Sequence, residues 1–385
     1  MLAVQQAGVI RGRIKMKTLN ICVLIIFIYT ITFCNIDDTI YQTRVVWVDQ
    51  SEYSTQKKAD KVIHRTLKSH MNVIMPQVYN HGYTSYQSTF IPMLPKAQKN
   101  RYDPLGYILK KAHEVGLEVH AWFCIALLPV EDVEPLLREN PDFGARAPGD
   151  DDWQYFKRTK FVIANIHNNE FQEFIINMMI ELIMKYDIDG LQYDYIRAVK
   201  TSYDNTSEKE FQEKFGKRLI DATTDELHTW HAEAVENIVK RTTEKARKIR
   251  PEIIISAAID PDIEHIWPQG QDSRKWAREK IVDLVITMDY EMTPELVQLF
   301  ETNYAKQIPN SMHGVGLGTC KPILGGIFYG SRSPKLILSQ LEVLNNLNIK
   351  HIALFRHAFN NYKITRALVN GPFNEKAKPY YRKKK

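Results

Sequence analysis

The sequence predicts a single (β/α)8 barrel of the α/β class, on three observations. Eight short β-rich runs alternate with longer amphipathic segments after Arg44. The alternation fills roughly 330 residues, which suits one barrel with some insertion. No glycine-rich turn follows the first run, where an open doubly wound sheet would carry one; the run leads instead into Asp49-Gln-Ser-Glu-Tyr53.

The expected strands are Val45 to Val48, Asn72 to Val78, Glu118 to Phe123, Gly190 to Tyr193, Ile253 to Ala257, Leu284 to Met288, Ile323 to Phe328 and His351 to Phe355. Between them, Ala59 to Ser69, Pro104 to Val115, Glu170 to Lys185, Thr229 to Lys248 and Pro334 to Leu347 carry the apolar spacing of outer helices. The connection from Ala126 to Ile163 is long, holds Pro129, Pro135, Pro141 and Pro148, and includes the acid run Asp150-Asp-Asp152. A connection of that length is usually functional or mobile. In a barrel it falls on the face where active sites form, as do Thr201 to Glu208 and Pro261 to Arg274.

The chain has 385 residues, 44% hydrophobic and 25% charged, an ordinary globular composition. Its formal charge of +6 comes from the ends. Residues 1–17 and 376–385 are basic and carry no acid, leaving 41 basic against 45 acidic residues in the body. That balance gives no nucleic-acid footprint. Leu19 to Cys34 is an apolar run behind Arg11, Arg13, Lys15 and Lys17, the pattern of a secretory signal. It is short for a membrane span of ~20 residues. The expected organisation is an N-terminal extension with signal peptide or membrane anchor over 1–34, a linker over 35–43, the barrel over 44–370 and a basic tail over 371–385. Export follows as the expected address, secreted or anchored at the outer face of the membrane. Of four cysteines, Cys22 and Cys34 lie in the targeting segment, leaving Cys124 and Cys320 in the body, too few for a disulfide framework.

The stretch Asp189-Gly-Leu-Gln-Tyr-Asp-Tyr-Ile-Arg197 draws attention because a buried strand ends in a carboxylate. Alternation sets Gln192 and Asp194 on one face, with Leu191 and Tyr193 on the other. A purely structural pairing of Asp194 with Arg197 is the competing reading.

Several stretches together match one pattern: Arg44-Val-Val-Trp47, Tyr102-Asp-Pro-Leu105 leading to Ala112 through Trp122, Asp189 through Asp194, and Trp276 through Tyr290. Over about residues 44–360 the chain resembles glycoside-hydrolase-like family 10. These are extracytoplasmic (β/α)8 proteins that include hydrolases of peptide-stripped peptidoglycan glycan strands. The resemblance implies a barrel that acts on a polysaccharide or cell-wall glycan. Tyr79-Asn-His-Gly82, Phe123-Cys124 and Ala198 depart from the family pattern on the expected substrate face.

Glycoside hydrolysis ordinarily uses two carboxyl groups flanking the scissile bond. Asp194 is the first candidate, by motif and by strand end. Asp289 is the leading partner, with Asp49, Asp260 and Glu291 as alternatives. Sugar rings stack on aromatic faces and their hydroxyls need polar partners. Trp47, Asp49, Tyr79, His120, Trp122, Tyr193, Arg197, Tyr290 and also Tyr329 are therefore the expected substrate contacts, each weighed against a place in the core. No cofactor or metal is expected. Asp260, Asp262, Glu264 and His265 read as a solvated loop, and His228 and His231 as helix surface. Gly314-Val-Gly-Leu-Gly318 precedes a strand instead of joining strand to helix, so it is no nucleotide loop. A barrel that binds glycan without cleaving it is the alternative function.

Overall fold

The structure, a computed structural model, describes residues 43–377 apart from 81, 129–134, 150–151, 157–160, 291–292 and 324–326. The expected signal or anchor segment, the end of the basic tail and Glu291 lie outside the described residues. Eight parallel strands close into a barrel: β1 Thr43–Val48, β2 Val73–Asn80, β3 Glu118–Cys124, β4 Gly190–Asp194, β5 Ile254–Ile259, β6 Leu284–Asp289, β7 His313–Gly318 and β8 His351–Phe355. Closure is made where β1 pairs with β8, Val45 opposite Ala353, and with β2, Val45 opposite Val73. The outer helices are α1 Gln56–Lys68, α2 Pro104–Glu114, α3 Asn169–Lys185, α4 Thr224–Ile249, α5 Ser273–Arg278, α6 Pro294–Ala305, α7 Pro334–Asn346 and α8 Tyr362–Val369.

Side chains divide by parity into two cores. Val46, Ile74, Val119, Leu191, Ile255 and Val285 point outward into the layer beneath the helices, whereas Val45, Trp47, Met75, Trp122, Ile286 and Phe355 fill the barrel. Acids at the N-terminal rim serve the frame. Asp189 Oδ2 accepts from the Val119 amide at 2.8 Å and meets His113 at 2.8 Å, and Asp283 Oδ2 accepts from the Ile255 amide at 2.8 Å. At the same rim Arg44 donates to the His70 carbonyl at 3.0 Å and lies over the Phe373 ring at 4.5 Å, fastening the end of the barrel to its first strand.

The seventh strand departs from the sequence expectation. Gly314-Val-Gly-Leu-Gly318 is itself a barrel strand, and Cys320–Ile323 with Ile327–Ser331 forms an antiparallel hairpin beyond it. Each glycine answers to a neighbour. A Cβ on Gly316 would lie 2.7 Å from Trp47 Cη2, and one on Gly318 would lie 2.4 Å from the Tyr290 carbonyl oxygen. A second excursion from the mouth pairs Leu127–Leu128 with Val162–Ile163 inside the long connection after β3. Strands β3 and β7, which carry the two hairpins, are four places apart in the ring and so stand on opposite sides of the mouth.

Candidate active site

Asp194 is the last residue of β4 and points inward at the C-terminal rim, the face on which barrel enzymes place their chemistry. The chain turns sharply after it, with Tyr195 in the left-handed region at φ 50°, and the Tyr195 amide donates back to Asp194 Oδ1 at 2.7 Å. The Trp122 indole N–H donates to Oδ2 at 2.7 Å, and the Cys124 thiol lies 3.7 Å from the same oxygen. One layer lower, the Trp47 indole N–H reaches across the barrel to Gln192 Oε1 at 2.6 Å. Burial pushes the Asp194 carboxyl above its ordinary pKa; the nearby Arg197 guanidinium and the Trp122 and Tyr195 donors act against that shift without cancelling it.

Aromatic rings surround this carboxyl. Tyr290 stacks on Phe355 with centroids 4.4 Å apart and planes at 17°, and Trp47 meets Tyr290 edge-on at 5.9 Å. Phe156, from the long connection after β3, meets Tyr195 edge-on at 5.6 Å, while the Arg197 guanidinium lies over the Tyr195 ring at 5.1 Å. Of the expected substrate contacts, Trp47, Trp122, Arg197 and Tyr290 are thus gathered around Asp194.

Asp49 has the same inward parity as Val45 and Trp47, one residue past the end of β1. It caps residues 50–52 through the Ser51 amide at 2.9 Å and accepts from Arg356 Nη1 at 2.7 Å. Burial raises its pKa, but Arg356 and Ser51 outweigh burial and hold it below the ordinary carboxylate range. Burial first, and then the charges of Asp194 and Asp49, push the Cys124 thiol well above its ordinary pKa. Asp260 follows β5, two residues beyond the position level with Asp194. It accepts from the Asp262 amide at 3.0 Å and meets His265 at 3.1 Å.

Three expected site residues face elsewhere. Asp289 shares its parity with Val285 and turns out of the barrel, where it is fully buried beside Glu301 of α6. Burial and then the Glu301 charge raise its pKa well above the ordinary range. Alternation from Leu284 and Ile286, which fill the barrel, forces this outcome. Tyr193 likewise points outward, its hydroxyl 3.1 Å from Thr243 Oγ1 on α4, and Tyr79 packs on Phe123 at 4.8 Å in the same outer layer. His120 is inside the barrel but deep. It lies against Gly190, where a Cβ would come within 2.7 Å of the imidazole, and meets Glu118 at 3.3 Å.

His228 and His231 also differ from expectation: both are buried, His228 stacked on Trp267 at 3.4 Å and His231 bonded to His167 at 2.8 Å. Among the described residues no three His, Cys, Asp or Glu side chains converge to hold a metal ion. Nor is any described helix long and apolar enough to cross a membrane. Sequence reasoning missed Phe355, Arg356 and Cys124 as parts of the mouth. The position of Phe355 at the end of a predicted strand, in phase with Ala353, was the available signal for the first.

An inward acid at the carboxyl rim of an aromatic-lined (β/α)8 barrel is an arrangement that glycoside hydrolases use. The chain belongs to the glycosyl hydrolase-like 10 family, whose model matches residues 42–319. It is 23% identical over 261 residues to the glycosyl hydrolase DigH of Escherichia coli O6:H1, covering 61% of this chain and 58% of that protein. To the glycosyl hydrolase YngK of Bacillus subtilis it is 22% identical over 255 residues, covering 60% of this chain and 48% of that protein. The chain therefore matches about half to three-fifths of the length of these relatives. Among solved structures, the PgaB (BpsB) glycoside hydrolase domain of Bordetella bronchiseptica superposes with a TM-score of 0.66 at 14% identity, covering 85% of this chain and 97% of that one. The α-L-fucosidase isoenzyme 2 of Paenibacillus thiaminolyticus gives 0.60 at 15% identity, covering 87% and 49%. At these identities the superpositions establish the fold.

Proposed function

We propose that the chain is an extracytoplasmic glycoside hydrolase acting on a polysaccharide or cell-wall glycan, with Asp194 as general acid and Asp49 as its ionised partner. The observation that carries this reading is the opposite treatment of two inward acids. Asp194 is pushed toward its protonated form by burial, and Asp49 is kept charged by Arg356. Environments that drive two titratable groups apart are how one site supplies both an acid and a base or nucleophile. Asp49 replaces Asp289 in that role, since Asp289 faces the helices. Tyr290, half-buried and stacked on Phe355, offers the apolar surface a sugar ring requires.

Turnover on a panel of purified polysaccharides, peptide-free peptidoglycan strands among them, tests the reading. Asp194→Asn should lower hydrolysis by at least ~100-fold while the fold persists. Full turnover by that variant on a cleaved glycan would refute the assignment. One observation favours the alternative of a binding barrel: Asp49 is already engaged by Arg356 and its own cap. Saturable glycan binding with no product from the unaltered chain would decide for that alternative. Export is proposed from the basic flank and apolar run before Cys34. Recovery of the full chain from cytosol alone would count against it.

A further inference from the structure

We propose that Trp122 is the positioning residue of Asp194, fixing the carboxyl so that proton exchange with a bound substrate runs through Oδ1. The inference rests on the reading of Asp194 as a catalytic acid. A carboxylate offers about four lone-pair positions. Oδ2 accepts the Trp122 indole N–H at 2.7 Å and faces the Cys124 thiol at 3.7 Å, and Oδ1 accepts the Tyr195 amide at 2.7 Å. One position remains, and it is on Oδ1.

Register explains why Trp122 can do this. It is level with Gln192, one inward step below Asp194, so its indole rises beneath the carboxyl. The ring is 6% exposed and meets Phe355 edge-on at 6.3 Å. A ring so enclosed, with its single N–H already committed, is no stacking platform for a sugar. This separates Trp122 from Tyr290, with which it was grouped as a substrate contact.

The titratable or charged groups facing Asp194 are Cys124 from β3, Tyr195 and Arg197 from the segment after β4, and Tyr290 beyond β6, and the charge of Asp49 acts on Cys124 in turn. Burial keeps the thiol and both phenols neutral, and Asp49 titrates below its ordinary range. Above that range, the group whose ionisation the Trp122 N–H meets directly is Asp194. A donor to the charged form favours it, so removing the indole N–H raises the Asp194 pKa further.

The test labels the six tryptophans of the full chain with 15N and follows their indole N–H resonances from roughly pH 4 to 9 without substrate. One resonance should titrate in the wild type, persist in Asp194→Asn without titrating, and vanish in Trp122→Phe. On any glycan that is cleaved, Trp122→Phe should move the alkaline limb of the pH–rate profile up by about one unit, because rate is lost there as the general acid Asp194 gives up its proton. The proposal is overturned if Asp194→Asn abolishes no indole titration, or if Trp122→Phe leaves that resonance or the alkaline limb where it was. Should Trp122→Phe fail to fold, the wild-type and Asp194→Asn titrations decide. Because they need no turnover, their outcome is independent of whether the barrel hydrolyses glycan.

Discussion

Replacing Gly316 with alanine should destabilise the barrel through one identifiable collision. The new Cβ would stand 2.7 and 2.8 Å from Trp47 Cη2 and Cζ3, and 3.0 Å from the Thr287 carbonyl oxygen. The carbonyl belongs to the neighbouring strand and cannot withdraw, so Trp47 must move. Its indole is held from the far side by Gln192 at 2.6 Å and edge-on by Phe355 at 6.1 Å. Overpacking a rigid core costs ~1–3 kcal/mol. Stretching the buried Trp47–Gln192 bond adds about 1 kcal/mol. The sum, ~2–4 kcal/mol, corresponds to a fall in Tm of roughly 3–6 °C for a domain of this size. Urea unfolding checked for reversibility, with thermal melts beside it, measures the change. Trp47→Phe removes the colliding atoms, so the two substitutions together should cost at least ~1 kcal/mol less than the sum of each alone. A stability within ~0.5 kcal/mol of wild type for Gly316→Ala, or strict additivity with Trp47→Phe, would refute the account. Gly314→Ala, whose nearest contact is 3.3 Å, should be milder.

Three further outcomes are expected. Burial raises both Asp289 and Glu301 above their unfolded values, and the Glu301 charge adds to the rise at Asp289, so their contribution is fully present below the unfolded carboxylate range and is lost as pH rises toward the folded pKa. Asp289→Asn should therefore flatten the alkaline decline in stability, by up to ~1.4 kcal/mol per pH unit where one proton is linked, as read from urea midpoints against pH. Tyr193→Phe loses the bond to Thr243 and should cost ~0.5–1.5 kcal/mol while leaving turnover unchanged; a catalytic defect with normal stability would return this tyrosine to the substrate face. Asp49→Asn should depress hydrolysis by ~100-fold or more, whereas a purely capping acid, whose place asparagine fills equally well, would spare the rate and change stability by less than ~1 kcal/mol.

The barrel was legible because seven of its strands are β-branched or aromatic runs of the expected length, and His351–Phe355 coincides with its predicted bounds. The seventh was illegible for a physical reason. Two of its inward positions, Gly316 and Gly318, are glycines because Trp47 and the backbone at Tyr290 occupy their space, and with Gly314 beside them no apolar alternation marks the strand. The inward orientation of Asp194 followed from period-two alternation, and the same rule, applied from Leu284, turns Asp289 outward. The motif-based grouping gave Tyr193 weight that alternation alone denies it. What a single strand cannot reveal is the partner across the ring: that Trp47 bonds Gln192, or that Arg356 neutralises Asp49, depends on closure.

The seam between β1 and β8 joins residues 43–46 to 351–354, with His351 Nδ1 2.8 Å from Thr43 Oγ1. Every other adjacent pair of barrel strands is consecutive in the chain. During synthesis, then, the first strand is made with one edge unpaired and keeps it so until some 300 residues later. Long-range closure of this sort slows folding and leaves an apolar edge open to other chains in the meantime. Fragments ending before His351 should collect as aggregates instead of as soluble partial barrels, and refolding should be slow and strongly dependent on protein concentration.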